Sequence, residues 1–153
     1  MTNNDILRRL RFVFNINNAK MTRIFANVQF ELPAADLLNL LKKEEEPDYK
    51  ACNDVLMCRF LDGLIIENRG LKDGAEIPKP TALNNNLIFK KLRVALELKE
   101  DDIINLLALA DFNLSKSELT ALFRASGHKH FKTCGDQVLR NFIKGLSIKH
   151  RGK

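Results

Sequence analysis

The chain has 153 residues, of which 45% are hydrophobic and 29% charged, and it carries a net charge of +6. This hydrophobic share is enough for a real core and excludes a disordered chain, while no apolar run approaches the roughly 18 residues of a membrane-spanning helix. Aromatic residues are few, with ten Phe, one Tyr and no Trp, and Leu and Ile recur at helical spacings, so the expected fold class is all-α.

The first helix is expected over about 4–16, where Ile6, Leu10, Val13 and Phe14 form one apolar stripe. Arg8-Arg9 could open a secretory or twin-arginine leader, but Asn15, Asn17, Asn18 and Lys20 interrupt the apolar segment that should follow. Asn3 and Asn4 precede the stripe and read as caps accepting the opening amides. A second helix follows over about 19–28. A link holding Phe30 leads to a third over about 33–43, with Pro33 at the first position, where no amide bond is lost. After the acidic loop Glu44-Glu45-Glu46-Pro47-Asp48, Asp54 is expected to head a fourth helix over about 54–68, its carboxylate suited to the positive end of the helix dipole. Gly63 lies inside that helix at a cost of about 1 kcal/mol relative to alanine, which implies the close approach of a neighbouring backbone. Arg69-Gly70 reads as a helix stop, and 71–84, with Gly74, Pro78 and Pro80, as a linker.

At residue 85 the pattern starts again. An offset of 82 residues lays 3–70 on 85–152 without a gap, with 19 identities in 68 positions, among them Asn3/Asn85, Asn4/Asn86, Cys52/Cys134, Asp54/Asp136, Gly63/Gly145 and Gly70/Gly152. The copy should therefore form the same four helices, over about 86–98, 100–110, 115–125 and 136–149, with Asn85 and Asn86 again as caps and Ser115 with Glu118 as a capping box. The expected architecture is two tandem four-helix repeats, 1–70 and 85–153, related by pseudo-symmetry and packed through apolar faces.

The doubled Asn-Asn start, Lys90-Lys91-Leu92-Arg93, Cys134-Gly135-Asp136-Gln137 and the Phe-x-x-Gly-Leu motifs at Phe60–Leu64 and Phe142–Leu146 make the chain resemble the YehS-like bacterial proteins. The resemblance covers nearly the whole chain. It implies a small duplicated helical protein, and it supplies no catalytic residue.

Charge separates the repeats. Residues 1–82 hold 12 basic and 12 acidic side chains, whereas 83–153 hold 13 and 7, so a basic surface is expected on the second repeat. Lys116, Arg124, Lys129, Lys132, Arg140 and Lys144 are the residues that would bind nucleic acid or an acidic partner. The stretch 100–125 has the layout of a helix-turn-helix, with Lys116, Thr120 and Arg124 facing outward, although its turn lacks the usual glycine. The acidic loop at 44–48 aligns with Ser126-Gly127-His128-Lys129-His130; this complementarity could clamp the repeats together or direct head-to-tail self-association.

His128, His130 and Cys134 are a weak metal set, because a structural zinc site needs four ligands and the first repeat matches only Cys52. No metal or cofactor is expected. Three cysteines, Cys52, Cys58 and Cys134, are an odd number in a chain large enough to need no disulfide framework, and reduced thiols of a cytoplasmic protein are expected. A histidine-activated cysteine lacks any accompanying motif. Binding is thus favoured over catalysis: a protein-interaction or adaptor module first, a nucleic-acid-binding regulator second.

Overall fold

Eight segments with apolar residues at three- and four-residue spacing close into helices in the computed structural model, which describes residues 1–153. They are α1 (Asn3–Val13), α2 (Asn18–Ala26), α3 (Ala34–Leu40), α4 (Asp54–Arg69), α5 (Asn85–Leu96), α6 (Glu100–Leu109), α7 (Lys116–Phe123) and α8 (Asp136–Arg151). There are no strands. The chain divides into two units, Met1–Leu83 and Asn84–Lys153, each with four helices. None of the helices is long and apolar enough to cross a membrane.

Within the first unit α4 packs mainly on α2, with α1 beside α4 and α3 against α2. Within the second, α8 packs mainly on α6, while α7 touches α6 and α5. Both main crossings occur at a glycine. A Cβ on Gly63 would overlap the carbonyl oxygen of Ile24 and sit 2.9 Å from its carbon; on Gly145 it would overlap the carbonyl oxygen of Leu106 and sit 2.7 Å from its carbon. Backbone cannot yield as a side chain does, so both positions require glycine. In the first unit Asn27 Nδ2 also donates to the Gly63 carbonyl at 3.1 Å, and Arg23 pairs with Glu67 at 2.7 Å.

The cores keep their volume by exchanging positions. Phe60 meets Phe25 of α2 with ring centroids 5.9 Å apart, whereas its counterpart Phe142 meets Phe89 of α5 at 4.6 Å. Leu7 stands where the second unit has Phe89, and Leu107 where the first has Phe25, so one ring moves between helices while a leucine takes its place. Arg11 and Arg93 repeat one fastening, each Nε donating to the carbonyl five residues on, Ile16 at 2.9 Å and Leu98 at 3.1 Å.

Several helix starts differ from expectation. Thr2 and Asn84, one residue earlier than the Asn pairs, cap α1 and α5 by accepting from the amides of Asp5 and Leu87. Pro33 caps α3 rather than opening it, and Asn53, not Asp54, caps α4 by accepting from the Leu56 amide at 2.9 Å. Asp54 and Asp136 are instead the first helical residues. Ser115 and Glu118 form the expected capping box, and Gly70 and Gly152 end α4 and α8 with φ of 76° and 75°. α3 and α7 stop earlier than periodicity suggests, because the amides of Lys50 and Lys132 reach back to the carbonyls of Asn39 and Ala121.

Candidate functional site

The doubled asparagines, released from capping, tie each unit's first helix to the segment before its last. Asn3 Nδ2 donates to the Cys52 carbonyl and to Asp54 Oδ1, both at 3.0 Å; Asn85 donates to the Cys134 carbonyl at 3.1 Å and to Asp136 Oδ1 at 2.7 Å. That last bond holds the Asp136 carboxyl below the usual carboxylate range. Asn4, which is 2% exposed, donates to the carbonyls of Leu40 and Lys50 at 2.9 Å and accepts from the Cys52 amide at 2.8 Å. Asn86 repeats all three bonds with Leu122, Lys132 and Cys134, each at 2.9 Å. Lys50 and Lys132 serve the clasp through their backbone carbonyls, while the Lys50 side chain pairs with Asp36 at 3.4 Å.

Beside this clasp the units diverge. In the first, Asn4 Oδ1 takes a further bond from the Tyr49 hydroxyl at 3.0 Å, Arg8 pairs with Asp5 at 2.6 Å and donates to the Lys42 carbonyl at 2.8 Å, and Lys42 Nζ donates to the Pro47 carbonyl. The Thr2 amide, ahead of Arg8, keeps the Asp5 carboxyl below its ordinary range. In the second unit Leu87 replaces Asp5, Lys90 replaces Arg8, Arg124 replaces Lys42 and Phe131 replaces Tyr49. The result is an open groove of about 350 Å³ lined by Asn84, Asn86, Leu87, Lys90, Phe123, Arg124, Ser126 and Phe131. It has an apolar floor, two cations and no carboxylate. Phe123 in the floor lies edge-on to Phe89 at 5.0 Å, with the Arg93 guanidinium 4.7 Å above its ring.

Of the basic residues expected to form a surface, only Arg124 lines this groove. Its Nη1 lies 3.3 Å from His128 Nε2, and His128 Nδ1 accepts from the His130 amide at 3.0 Å, so Arg124 and the 128–130 loop, with exposed Lys129, share one corner. Lys132 follows with an exposed side chain. Arg140 and Lys144 stand apart, one turn from each other on the exposed face of α8. Lys116 pairs with Asp101 at 3.1 Å, and Thr120 Oγ1 donates to the Lys116 carbonyl at 2.8 Å. Two of the three outward residues of the helix-turn-helix layout are therefore engaged inside the unit.

The structure does not bring His128, His130 and Cys134 together. The histidine ring centroids lie 5.6 Å apart, the planes tilted by 42°, on an exposed loop, Cys134 is buried with Sγ 3.6 Å from the Gly135 carbonyl, and no three His, Cys, Asp or Glu side chains converge anywhere. Burial pushes the Cys134 thiol up to about 11 and the Cys52 thiol up to about 12. Both stay protonated at neutral pH, and neither supplies a thiolate. Cys58 is buried too, accepting from the Thr81 amide at 3.5 Å and lying 3.6 Å from Asp62 Oδ2.

Sequence reasoning missed Leu87, Lys90 and Phe131. The signal was present in the alignment at the 82-residue offset as substitutions that remove an acid and a hydroxyl while keeping a cation.

Uncharacterized protein YehS of Escherichia coli (strain K12) is 42% identical over 154 residues, a match covering 100% of this chain and 99% of the relative. No solved structure matches the chain. Residues 3–70 and 85–152, the two segments that build the Asn clasps and glycine crossings, each match the protein of unknown function family DUF1456, and the chain belongs to that family as a tandem pair of its units.

Proposed function

We propose that the chain is a cytoplasmic, non-enzymatic protein-interaction module whose second unit binds an acidic protein segment. One observation carries this reading: the second unit keeps the cation of the Arg8–Asp5 pair as Lys90 but replaces its acid with Leu87. A carboxylate brought by a partner would take the place of Asp5 between Lys90 and Arg124, while apolar parts of the same segment cover Leu87, Phe123 and Phe131. Such charges set specificity and association rate, and the aromatic floor adds contact area. A fluorescent hexaglutamate peptide should bind the full chain, and Lys90→Gln with Arg124→Gln should weaken it at least about tenfold. Binding unchanged by that double substitution would overturn the reading.

A nucleic-acid-binding regulator is the second reading, favoured by Arg140 and Lys144, which are exposed on one face of α8. Contacts to phosphate release counterions, so retention of RNA or DNA would fall steeply as salt rises. Failure to retain either at low salt removes this reading.

A further inference from the structure

We propose that the acidic segment is the chain's own: the loop Glu44–Asp48 of a second copy seats on the groove of the second unit and joins copies head to tail. The inference rests on the acidic-segment reading and names its partner.

Both loops are built on one scaffold. The amide of Glu46 donates to the Lys43 carbonyl as that of His128 does to Ala125, Tyr49 to Glu46 as Phe131 to His128, and Lys50 to Asn39 as Lys132 to Ala121. The scaffold then presents opposite charge. Glu44, Glu45 and Asp48 are exposed and hold no ion pair within the chain, while Glu46 is taken up by the Lys43 amide at 3.1 Å. On the other side Lys90 and Lys129 are exposed without a carboxylate, and Arg124 has only His128 beside it. Three unspent carboxylates and three cations lacking an acid are thus displayed by the same protein, the acids on its first unit and the cations on its second. A glutamate side chain from the loop would restore to the groove the carboxylate that Asp5 provides in the first unit.

The two surfaces differ, so the contact is heterologous. Each copy that uses its loop keeps an open groove, and assembly continues until a ring closes or a filament forms. The attraction is local and exposed, and salt that shortens the screening length to about 8 Å or less should disperse it.

Sedimentation of the full chain tests this. At low salt the wild type should sediment above monomer mass, returning to monomer at high salt. Glu44→Gln with Glu45→Gln, which removes two of the loop's three unspent charges, and Lys90→Gln with Arg124→Gln, which removes the groove's two, should each weaken association at least about tenfold. An equimolar mixture of the two variants should stop at dimers, because it contains one intact loop and one intact groove per pair. Leu87→Asp should also block association while the fold is kept, since an acid three residues after Asn84 reproduces the Thr2/Asp5 capping box. A monomeric wild type at low salt, or a loop variant that associates like the wild type, overturns the proposed partner. Hexaglutamate binding that survives in the wild type would then leave the acidic-segment reading standing; its persistence in Leu87→Asp and in the groove variant would bring that reading down as well.

Discussion

In the first unit the corner between α1 and the 42–50 segment is closed by the protein itself: Tyr49 satisfies Asn4, Asp5 satisfies Arg8, and Arg8 holds the Lys42 carbonyl. The second unit retains the clasp through Asn86 but leaves Lys90 and Arg124 over an apolar floor. What duplication has preserved are the groups that fix backbone to backbone, namely the asparagines, the crossing glycines and the Arg11/Arg93 fastenings. Beyond the compensated Phe/Leu exchange of the cores, what it has altered lies one layer further out, where a polar side chain can be exchanged without moving a helix. One copy has kept its corner occupied, and the other leaves the same corner open.

If the glycine crossings are equivalent, the largest effects should be the same in both units. Gly63→Ala and Gly145→Ala each force a methyl group into a carbonyl of the crossing helix, and each should cost about 3 kcal/mol. Urea unfolding of the two variants measures this. A loss confined to one would show that the other crossing can slide apart, and the symmetry of the main packing would fail.

The clasps should separate the units by a smaller margin. Asn4→Ala removes four hydrogen bonds from a buried site, leaving a backbone amide and two carbonyls unpaired, and should cost about 3 kcal/mol. Asn86→Ala removes three from a half-buried one and should cost about 2 kcal/mol, because water reaches part of what is left. Equal losses would mean that the Tyr49 bond contributes nothing and that the two corners are energetically alike.

The helical scaffold was largely legible in the sequence. Identities at a fixed offset located both copies, and a glycine kept twice inside a helix pointed to a backbone crossing. The Asn pairs were misread because a doubled asparagine before an apolar stripe looks the same whether it caps its own helix or reaches elsewhere. Their partners lie 36 to 51 residues away, a separation that helical periodicity does not register. The groove was illegible for a different reason. Charge totals drew attention to Lys116, which an acid already holds, and to Arg140 and Lys144 on another helix face. Lys90 became informative only when the missing acid opposite it was set against Asp5.

The buried thiols give a pH-dependent form of the comparison. Cys52 and Cys134 are shifted up to about 12 and about 11, whereas an unfolded thiol ionises near about 8.5. Above that pH the unfolded chain releases protons that the folded chain retains, so stability is full below about pH 8.5 and falls as pH rises, at most about 1.4 kcal/mol per pH unit for each thiol. The fall tied to Cys134 should end about one unit earlier than that tied to Cys52. Urea unfolding between about pH 8 and pH 11, repeated on Cys52→Ala and Cys134→Ala, measures each share; an alkaline slope unaltered by both substitutions would assign it to other groups.

The smallest effect bears most directly on how the units came to differ. Tyr49→Phe removes one hydroxyl that donates to a buried asparagine, and should cost about 1 kcal/mol. Phe131→Tyr places a hydroxyl on the same scaffold, where Asn86 Oδ1 accepts only from the Cys134 amide, and should gain up to about 1 kcal/mol. A tyrosine there also fills part of the groove, so the stabilised variant should bind hexaglutamate more weakly than the wild type. Stability and binding would then move in opposite directions on a single oxygen atom, which is the relation expected if the second unit gave up an internal bond to keep its corner open. A Phe131→Tyr chain that gains stability and binds as before would show that the hydroxyl and the ligand occupy different parts of the groove, and would confine the binding site to Lys90, Arg124 and the floor beneath them.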